Sequence, residues 1–291
     1  MSNLPQIIKI LEKYNKTPKK SLGQNFLINP ETLKKTAEIS IGGVLPTSEN
    51  MGVIEIGPGI GVLTAELCAL YKKVLAVEID RTFEPILNET LEDYDNLKII
   101  FDDILKVDLH KIIDEEFAGF ERINICANLP YYITTPIILK LIKSKIKFGN
   151  ITIMIQKEAA DKLCSKAGDE NYCATSAIVS YYGEAKKIHN VAKSNFYPPP
   201  NVLSTVVTIN PYAVPLANPV NIDLMYKVIE SAFSQRRKTL VNALASGLCI
   251  DKEKIIDIVK KVSGEDNENI RGEELDIKAF SDISDLVFKI I

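Results

Sequence analysis

The run I-C-A-N-L-P-Y-Y-I-T-T at 125–135 carries an apolar strand straight into an amide, a proline and two tyrosines. Asn128 brings a side-chain carbonyl, and the backbone beside it brings more. Pro130 removes a donor and fixes φ, so the preceding carbonyls can be held rigidly outward. Tyr131 sets a flat ring at the same place. Carbonyl acceptors beside a ring suit an exocyclic amine on a flat base. Hydrogen bonds from that amine make its nitrogen more tetrahedral and more nucleophilic, and they stabilise the positive charge that grows during attack. No histidine or cysteine is needed for such a step. A second aromatic run, N-F-Y-P-P-P-N-V at 195–202, is stiffened by three prolines and offers Phe196 or Tyr197 as another stacking wall.

The partner electrophile is suggested by a glycine loop. E-I-G-P-G-I-G-V-L-T (55–64) places Gly57, Gly59 and Gly61 between an apolar strand and a helix. Glycines there let a ligand approach the backbone, and the helix start offers free N–H groups. Glu78 ends the next strand, at the spacing where a carboxylate grips ribose hydroxyls. A nicotinamide fingerprint would require Gly or Ala at position 62, where this chain has Val62. The form E-x-G-x-G-x-G instead resembles the S-adenosylmethionine loop of class I methyltransferases. Asp103, after a third strand, is then placed to receive an adenine amino hydrogen, and Asn128 follows a fourth. Successive strand ends presenting Gly, Glu, Asp and Asn match the ligand edge of a parallel sheet.

Positioning these residues requires alternating strands and helices, and the pattern from residue 51 supplies them. Strands are expected at 53–56, 74–79, 97–101, 123–127 and 151–155, and helices at 61–70, 82–91, 134–145 and 157–166. Continuous apolar strands separated by helices imply a parallel sheet covered on both faces. Runs at 185–191 and 204–209 bring the count to seven strands and turn the sheet's end antiparallel. Leu4, Ile7, Ile8 and Leu11 predict an opening amphipathic helix, followed by a basic loop and then Asn29-Pro30 as a helix start. The proline-rich stretch 210–219 reads as a linker. Beyond it lie only helices, at 223–234, 236–246, 251–261 and 277–290. The domains are therefore expected at 1–210, with a basic arm at 1–28, and at 211–291.

The 291 residues are 46% hydrophobic, enough for a real core, and no apolar run is long enough for a membrane span. Five cysteines without CxxC spacing and two distant histidines make a reduced, cytoplasmic, metal-free protein the expectation. Net charge is −3, which argues against indiscriminate polyanion binding. The charges are nonetheless uneven. Lysines crowd residues 1–20 and 134–149, Arg236, Arg237 and Lys238 stand without an acid in 231–245, and acids gather in 84–121 and 265–276. No coiled coil or large apolar patch is visible, so a monomer is expected.

Taken together, K-K-S-L-G-Q-N-F-L (19–27), E-I-G-P-G-I-G-V-L-T, V-E-I-D (77–80), N-L-P-Y-Y-I-T-T-P (128–136), Q-K-E-A-A (156–160), F-Y-P-P-P-N-V, F-S-Q-R-R-K-T-L (233–240) and R-G-E-E-L (271–275) resemble the ribosomal RNA adenine N6,N6-dimethyltransferases. Within them, the late Q-R-R-K-T-L and the helical tail resemble the small-subunit (16S rRNA) branch. The resemblance implies a Rossmann-like class I methyltransferase domain, S-adenosylmethionine as cofactor, and two adjacent adenosines near the RNA's 3′ end as substrate. It implies cofactor contacts from Asn25, Leu27, Gly57, Gly59, Glu78, Asp103 and Asn128. It implies target-amine carbonyls from Asn128 and Leu129, stacking by Tyr131 and Phe196, and rRNA phosphate contacts from Lys19, Lys20, Arg236, Arg237 and Lys238. Asp102 stands where the family often has glycine, Cys173 after Tyr172 where Tyr-Gly is common, and Asn29 where aspartate is common. The alternatives are the large-subunit branch linked to macrolide resistance, a non-catalytic assembly factor on the same fold, and a nicotinamide oxidoreductase. N-L-P-Y-Y with the long tail, the intact glycine loop with Asn128, and Val62 argue against them in turn.

Overall fold

A computed structural model describes residues 4–19, 22–42, 50–235, 238–264 and 269–291. The chain forms two compact units, residues 1–160 with 186–211 and residues 161–185 with 212–291. The boundary after residue 211 falls beside the expected linker. The first unit, however, does not run unbroken to residue 210, because segment 161–185 packs with the helices.

In the first unit, helix α1 (Leu4–Lys13) leads through the arm to a two-residue strand β1 (Phe26–Leu27) and helix α2 (Pro30–Ser40). Asn29 caps α2 as expected: its Oδ1 accepts from the Thr32 N–H at 2.8 Å, and Pro30 takes the first helical position. Aspartate is thus not required there, since asparagine accepts the same hydrogen bond.

The sheet is built from β2 (Met51–Ile56), β3 (Lys73–Glu78), β4 (Leu97–Phe101), β5 (Arg122–Asn128), β6 (Ile151–Gln156), β7 (Gly183–Val191) and β9 (Ser204–Pro211), with the short β8 (Phe196–Tyr197) outside it. Its order is β4-β3-β2-β5-β6-β9-β7, parallel from β4 to β6, with β9 antiparallel to β6. Every residue of β2 is buried, which is what a central strand covered on both faces requires. Between the strands lie α3 (Val62–Cys68), α4 (Glu84–Thr90), α5 (Leu109–Glu116), α6 (Thr134–Lys143) and α7 (Lys157–Leu163). Helix α5 was not expected from the pattern. It is eight residues long, and Asp108 starts it by accepting the Lys111 N–H.

The register sets the site. Ile56 pairs with Val77 on one side and Ala127 on the other, while Glu78 pairs with Phe101. Gly57, Glu78, Asp103 and Asn128 therefore emerge at one edge, the carboxyl ends of neighbouring strands. A one-residue slip in any pair would turn the key side chain to the opposite face.

The second unit contains α8 (Ala174–Tyr182), α9 (Ile222–Phe233), α10 (Leu240–Leu248), α11 (Lys252–Ser263) and α12 (Ile277–Phe288). Tyr172, Phe233 and Phe280 stack edge-on and tilted through its core, with centroids 5.5 and 6.0 Å apart. Helix α8 was missed because A-T-S-A-I-V-S-Y-Y is β-branched and aromatic with no charged face. Cys173 is its N-cap: the Ser176 hydroxyl accepts the Cys173 N–H at 2.9 Å. Cys173 has φ −152°, ordinary extended backbone, so glycine is not needed there. Helix α10 begins at Leu240 rather than at 236. Among the described residues no helix is long and apolar enough to cross a membrane.

Candidate active site

The edge described by the register opens into a cavity of about 1070 Å³, counting its mouth. Its lining includes Asn25, Leu27, Gly57, Gly59, Glu78, Asp103, Asn128, Leu129 and Tyr131, which are residues singled out from sequence.

One wall is formed by the ends of β2, β3 and β4. Gly57 has φ +74° and nothing within 4 Å of where a Cβ would stand, so the backbone there is bare to the cavity. At Gly59, with φ +59°, a Cβ would stand 3.0 Å from the Phe26 ring. Left-handed backbone with that approach favours glycine at both positions. The Glu78 carboxylate is buried and accepts the Gly59 N–H at 3.0 Å and the Asp80 N–H at 2.8 Å. Burial raises its pKa, against those two hydrogen bonds. A carboxylate has about four acceptor sites, so Glu78 keeps capacity for a diol. Asp103 accepts the Leu105 N–H at 2.9 Å through Oδ1. Asp102 lines the mouth and accepts the Asp103 N–H at 2.7 Å, which stiffens the turn without touching the Asp103 carboxylate.

Two carboxyls had no assigned role in the sequence reading. Glu55 is 1% exposed, and its Oε2 has no hydrogen-bond partner. Burial, with the neighbouring Glu78 carboxylate adding to it, pushes the Glu55 pKa up to about 8. Its place one residue before Gly-x-Gly was the available signal. Asp80 is buried and binds the Lys19 ammonium at 2.8 Å, the Gln24 amide at 3.1 Å and the Thr82 hydroxyl at 2.7 Å. Burial alone would raise its pKa, but these donors outweigh it and bring it to about 2.

The opposite wall is the Asn128–Tyr132 segment under the N-terminal arm. Asn128 Nδ2 donates to the Asn25 carbonyl at 3.1 Å, which fixes the amide's orientation. The Leu129 N–H donates to Met154 at 3.1 Å, while the Pro130 carbonyl is taken by the Ile133 N–H and the Thr134 hydroxyl. Among the described residues neither Asn128 Oδ1 nor the Leu129 carbonyl accepts a hydrogen bond. The Tyr131 hydroxyl bonds Ser204 Oγ at 2.9 Å, so its ring is pinned at the far end. Tyr132, 58% exposed, lines the mouth beside it.

Phe196 is the expected stacking residue that the cavity does not include. It is 3% exposed, sits in the core, and pairs with Leu27 in the β1–β8 ladder. Lys19 was read as a phosphate contact, but its ammonium is engaged by Asp80. Lys238 is exposed in the turn before α10, while Lys20, Arg236 and Arg237 lie outside the described residues. Lys140, counted in a basic stretch, turns inward onto two carbonyls.

Comparison with known proteins gives this arrangement a family. The profile of the ribosomal RNA adenine dimethylases matches residues 15–273. The chain belongs to the ribosomal RNA adenine dimethylase family. It is 41% identical over 276 residues to the ribosomal RNA small subunit methyltransferase A of Geobacillus sp. (strain WCH70), covering 94% of this chain and 93% of that one. A dimethyladenosine transferase from Plasmodium falciparum superposes with a TM-score of 0.69 at 27% identity, over 88% of this chain and 94% of its own. The 23S rRNA methyltransferase ErmE shares the fold, with a TM-score of 0.62 at 20% identity, over 91% of this chain and 100% of its own. This dimethylase therefore has the expected Rossmann-like class I methyltransferase fold, carrying a seven-stranded sheet and a helical C-terminal region.

Proposed function

We propose that this protein transfers methyl groups from S-adenosylmethionine to the N6 of two adjacent adenosines near the 3′ end of small-subunit (16S) rRNA, giving N6,N6-dimethyladenosine during ribosome biogenesis. One observation carries the reading. Asn128 and Leu129 line the same cavity as Gly57, Glu78 and Asp103, and among the described residues Asn128 Oδ1 and the Leu129 carbonyl accept no hydrogen bond. The names of the relatives support the same substrate class.

S-adenosylmethionine, when bound, supplies a methyl group already activated on its sulfonium. The cavity fits such a cofactor: bare backbone at Gly57, a buried carboxylate at Glu78 for ribose hydroxyls, and Asp103 for the adenine amine. Asn25 and Leu27 roof it from the arm. Asn128 and Leu129 accept the N–H hydrogens of the target amine and steady the charge developing on nitrogen. Tyr131 holds the flipped base against one face, so the base must leave its stack, which suits exposed single-stranded RNA. Phe196 contributes by backing Leu27 and the arm. Lys238, with Lys20, Arg236 and Arg237, contacts rRNA phosphates. The protein acts as a cytoplasmic monomer on a preassembled particle, because net charge −3 gives little attraction for naked RNA.

The test is methyl transfer with labelled S-adenosylmethionine to unmethylated small subunits, large subunits and naked rRNA, with nucleosides identified by mass. N6,N6-dimethyladenosine in small-subunit RNA alone is expected. Label in large-subunit RNA would move the protein to the other branch, and no label with cofactor binding intact would leave a binding role.

A further inference from the structure

Helix α6 starts directly after the Asn128–Tyr132 wall, and Lys140 projects from it toward the opposite wall. The Lys140 ammonium donates to the Leu105 carbonyl at 2.8 Å and the Val107 carbonyl at 2.6 Å. Both carbonyls belong to the loop after β4. In that loop the Leu105 N–H holds Asp103 Oδ1, and the Lys106 and Val107 N–H groups donate to the Asp103 carbonyl at 2.7 and 3.1 Å. The peptide unit between Leu105 and Lys106 is therefore held at both ends, its oxygen by Lys140 and its N–H by Asp103. The ammonium also faces the charges of Asp102, Asp103 and Asp108, which would repel one another without a cation among them. Ile104 and Val107 are buried on either side, so the loop cannot shift freely once its carbonyls are fixed.

We propose that Lys140 is a positioning residue for cofactor recognition, fixing the 103–107 loop so that the Asp103 carboxylate keeps the orientation that reads the adenine amino group. It is not a phosphate contact, although it lies among Lys143, Lys145 and Lys147 in sequence. The same strut ties the cofactor-reading loop to the helix that follows the target-base segment. The proposal rests on the reading of Asp103 given above. An ammonium bonding two carbonyls is worth more than a neutral pair, and each carbonyl left bare on its removal adds a cost. Burial lowers the Lys140 pKa, and the charges of Asp103, Asp108 and Asp102 oppose that change.

The experiment compares binding of S-adenosylhomocysteine with its deaminated form, S-inosylhomocysteine, by calorimetry on the full chain. Deamination replaces the amine by an oxygen that an Asp carboxylate repels, so the wild type should prefer the adenine form by about 30-fold or more. Lys140→Met should lose about tenfold of that preference while still melting cooperatively, and Lys140→Arg should recover most of it. Asp103→Asn should lose the preference too. If Asp103→Asn keeps the preference, the assignment of Asp103 fails and the proposal falls with it. If Asp103→Asn loses the preference and Lys140→Met does not, the strut alone is wrong. Equal weakening of both ligands by Lys140→Met would mark a merely structural lysine and overturn the proposal. So would an unchanged preference with a shallower salt dependence of small-subunit binding, the mark of a lost phosphate contact.

Discussion

The two walls of the cavity solve opposite problems. On the wall formed by β2, β3 and β4 the acids other than Glu55 are already partnered: Glu78 by two backbone N–H groups, Asp80 by four donor atoms, Asp103 by Leu105. On the Asn128 wall Asn128 Nδ2, the Leu129 N–H and the Tyr131 hydroxyl are engaged, while among the described residues Asn128 Oδ1 and the Leu129 carbonyl accept no hydrogen bond. A ligand held by contacts that are the same before and after reaction needs groups fixed in place, and internal hydrogen bonds fix them. A charge that appears only during reaction needs acceptors with no competing donor, oriented without being quenched. The difference separates binding from rate.

The largest expected effect breaks that separation most directly. Asn128→Ala should lower kcat for dimethylation by about 100-fold or more, with cofactor affinity changed less than about tenfold. Quench-flow transfer and calorimetry on the same preparation would read both. A comparable loss in affinity would show that the two walls are not distinct. Glu78→Gln should do the reverse. Cofactor Kd should rise about tenfold or more with kcat at saturation retained, since a charge-assisted hydrogen bond is worth about 1.5–3 kcal/mol.

Acid stability sharpens the contrast further. The Asp80 pKa falls from 3.8 to about 2 in the folded protein, so its contribution is present above pH 3.8 and is lost as pH drops toward 2. The full contribution is about 2 kcal/mol. Urea melts of wild type and Asp80→Asn should therefore converge on acidification across that window. Glu55 runs the other way. Its pKa rises from 4.5 to about 8, so its protonated form favours folding below pH 4.5 and that advantage fades as pH climbs through about 8. Glu55→Gln should flatten this loss, and identical alkaline melting profiles would show that Glu55 stays ionised. The smallest effect is expected from Tyr131→Phe. Losing the bond to Ser204 should cost about 1 kcal/mol of stability, while the ring and the methylation rate within about threefold remain.

Most of the first wall was legible because strand, glycine loop and spaced acids are local patterns. The seven strands, the antiparallel end and the Asn29 cap followed from alternation, composition and one dipeptide. What escaped was made by tertiary context. Helix α8 has no charged face to declare it. The β1–β8 ladder joins two-residue strands on opposite sides of the sequence. Phe196 read as an exposed stacking ring because proline stiffness says nothing about which way a ring faces. Lys19 read as a phosphate contact and Lys140 as one of a basic cluster because a lysine's partner cannot be inferred from its neighbours in the chain. Asp80 and Glu55 went unassigned for the same reason, since burial rather than identity makes them unusual.

The β1–β8 pairing also has a bearing on biosynthesis. The arm is made first, yet Phe26 and Leu27 pair with Tyr197 and Phe196, and Ile28 donates to Asn195. On the ribosome the sheet's parallel strands can assemble while the arm still lacks these partners. The β1–β8 ladder beside Asn25 can close only after residues 195–197 have emerged. A chain arrested before that point would carry Gly57, Glu78, Asp103 and Asn128 without that ladder to hold Asn25 and Leu27 in place. The enzyme's competence is thus timed to the late part of its own translation.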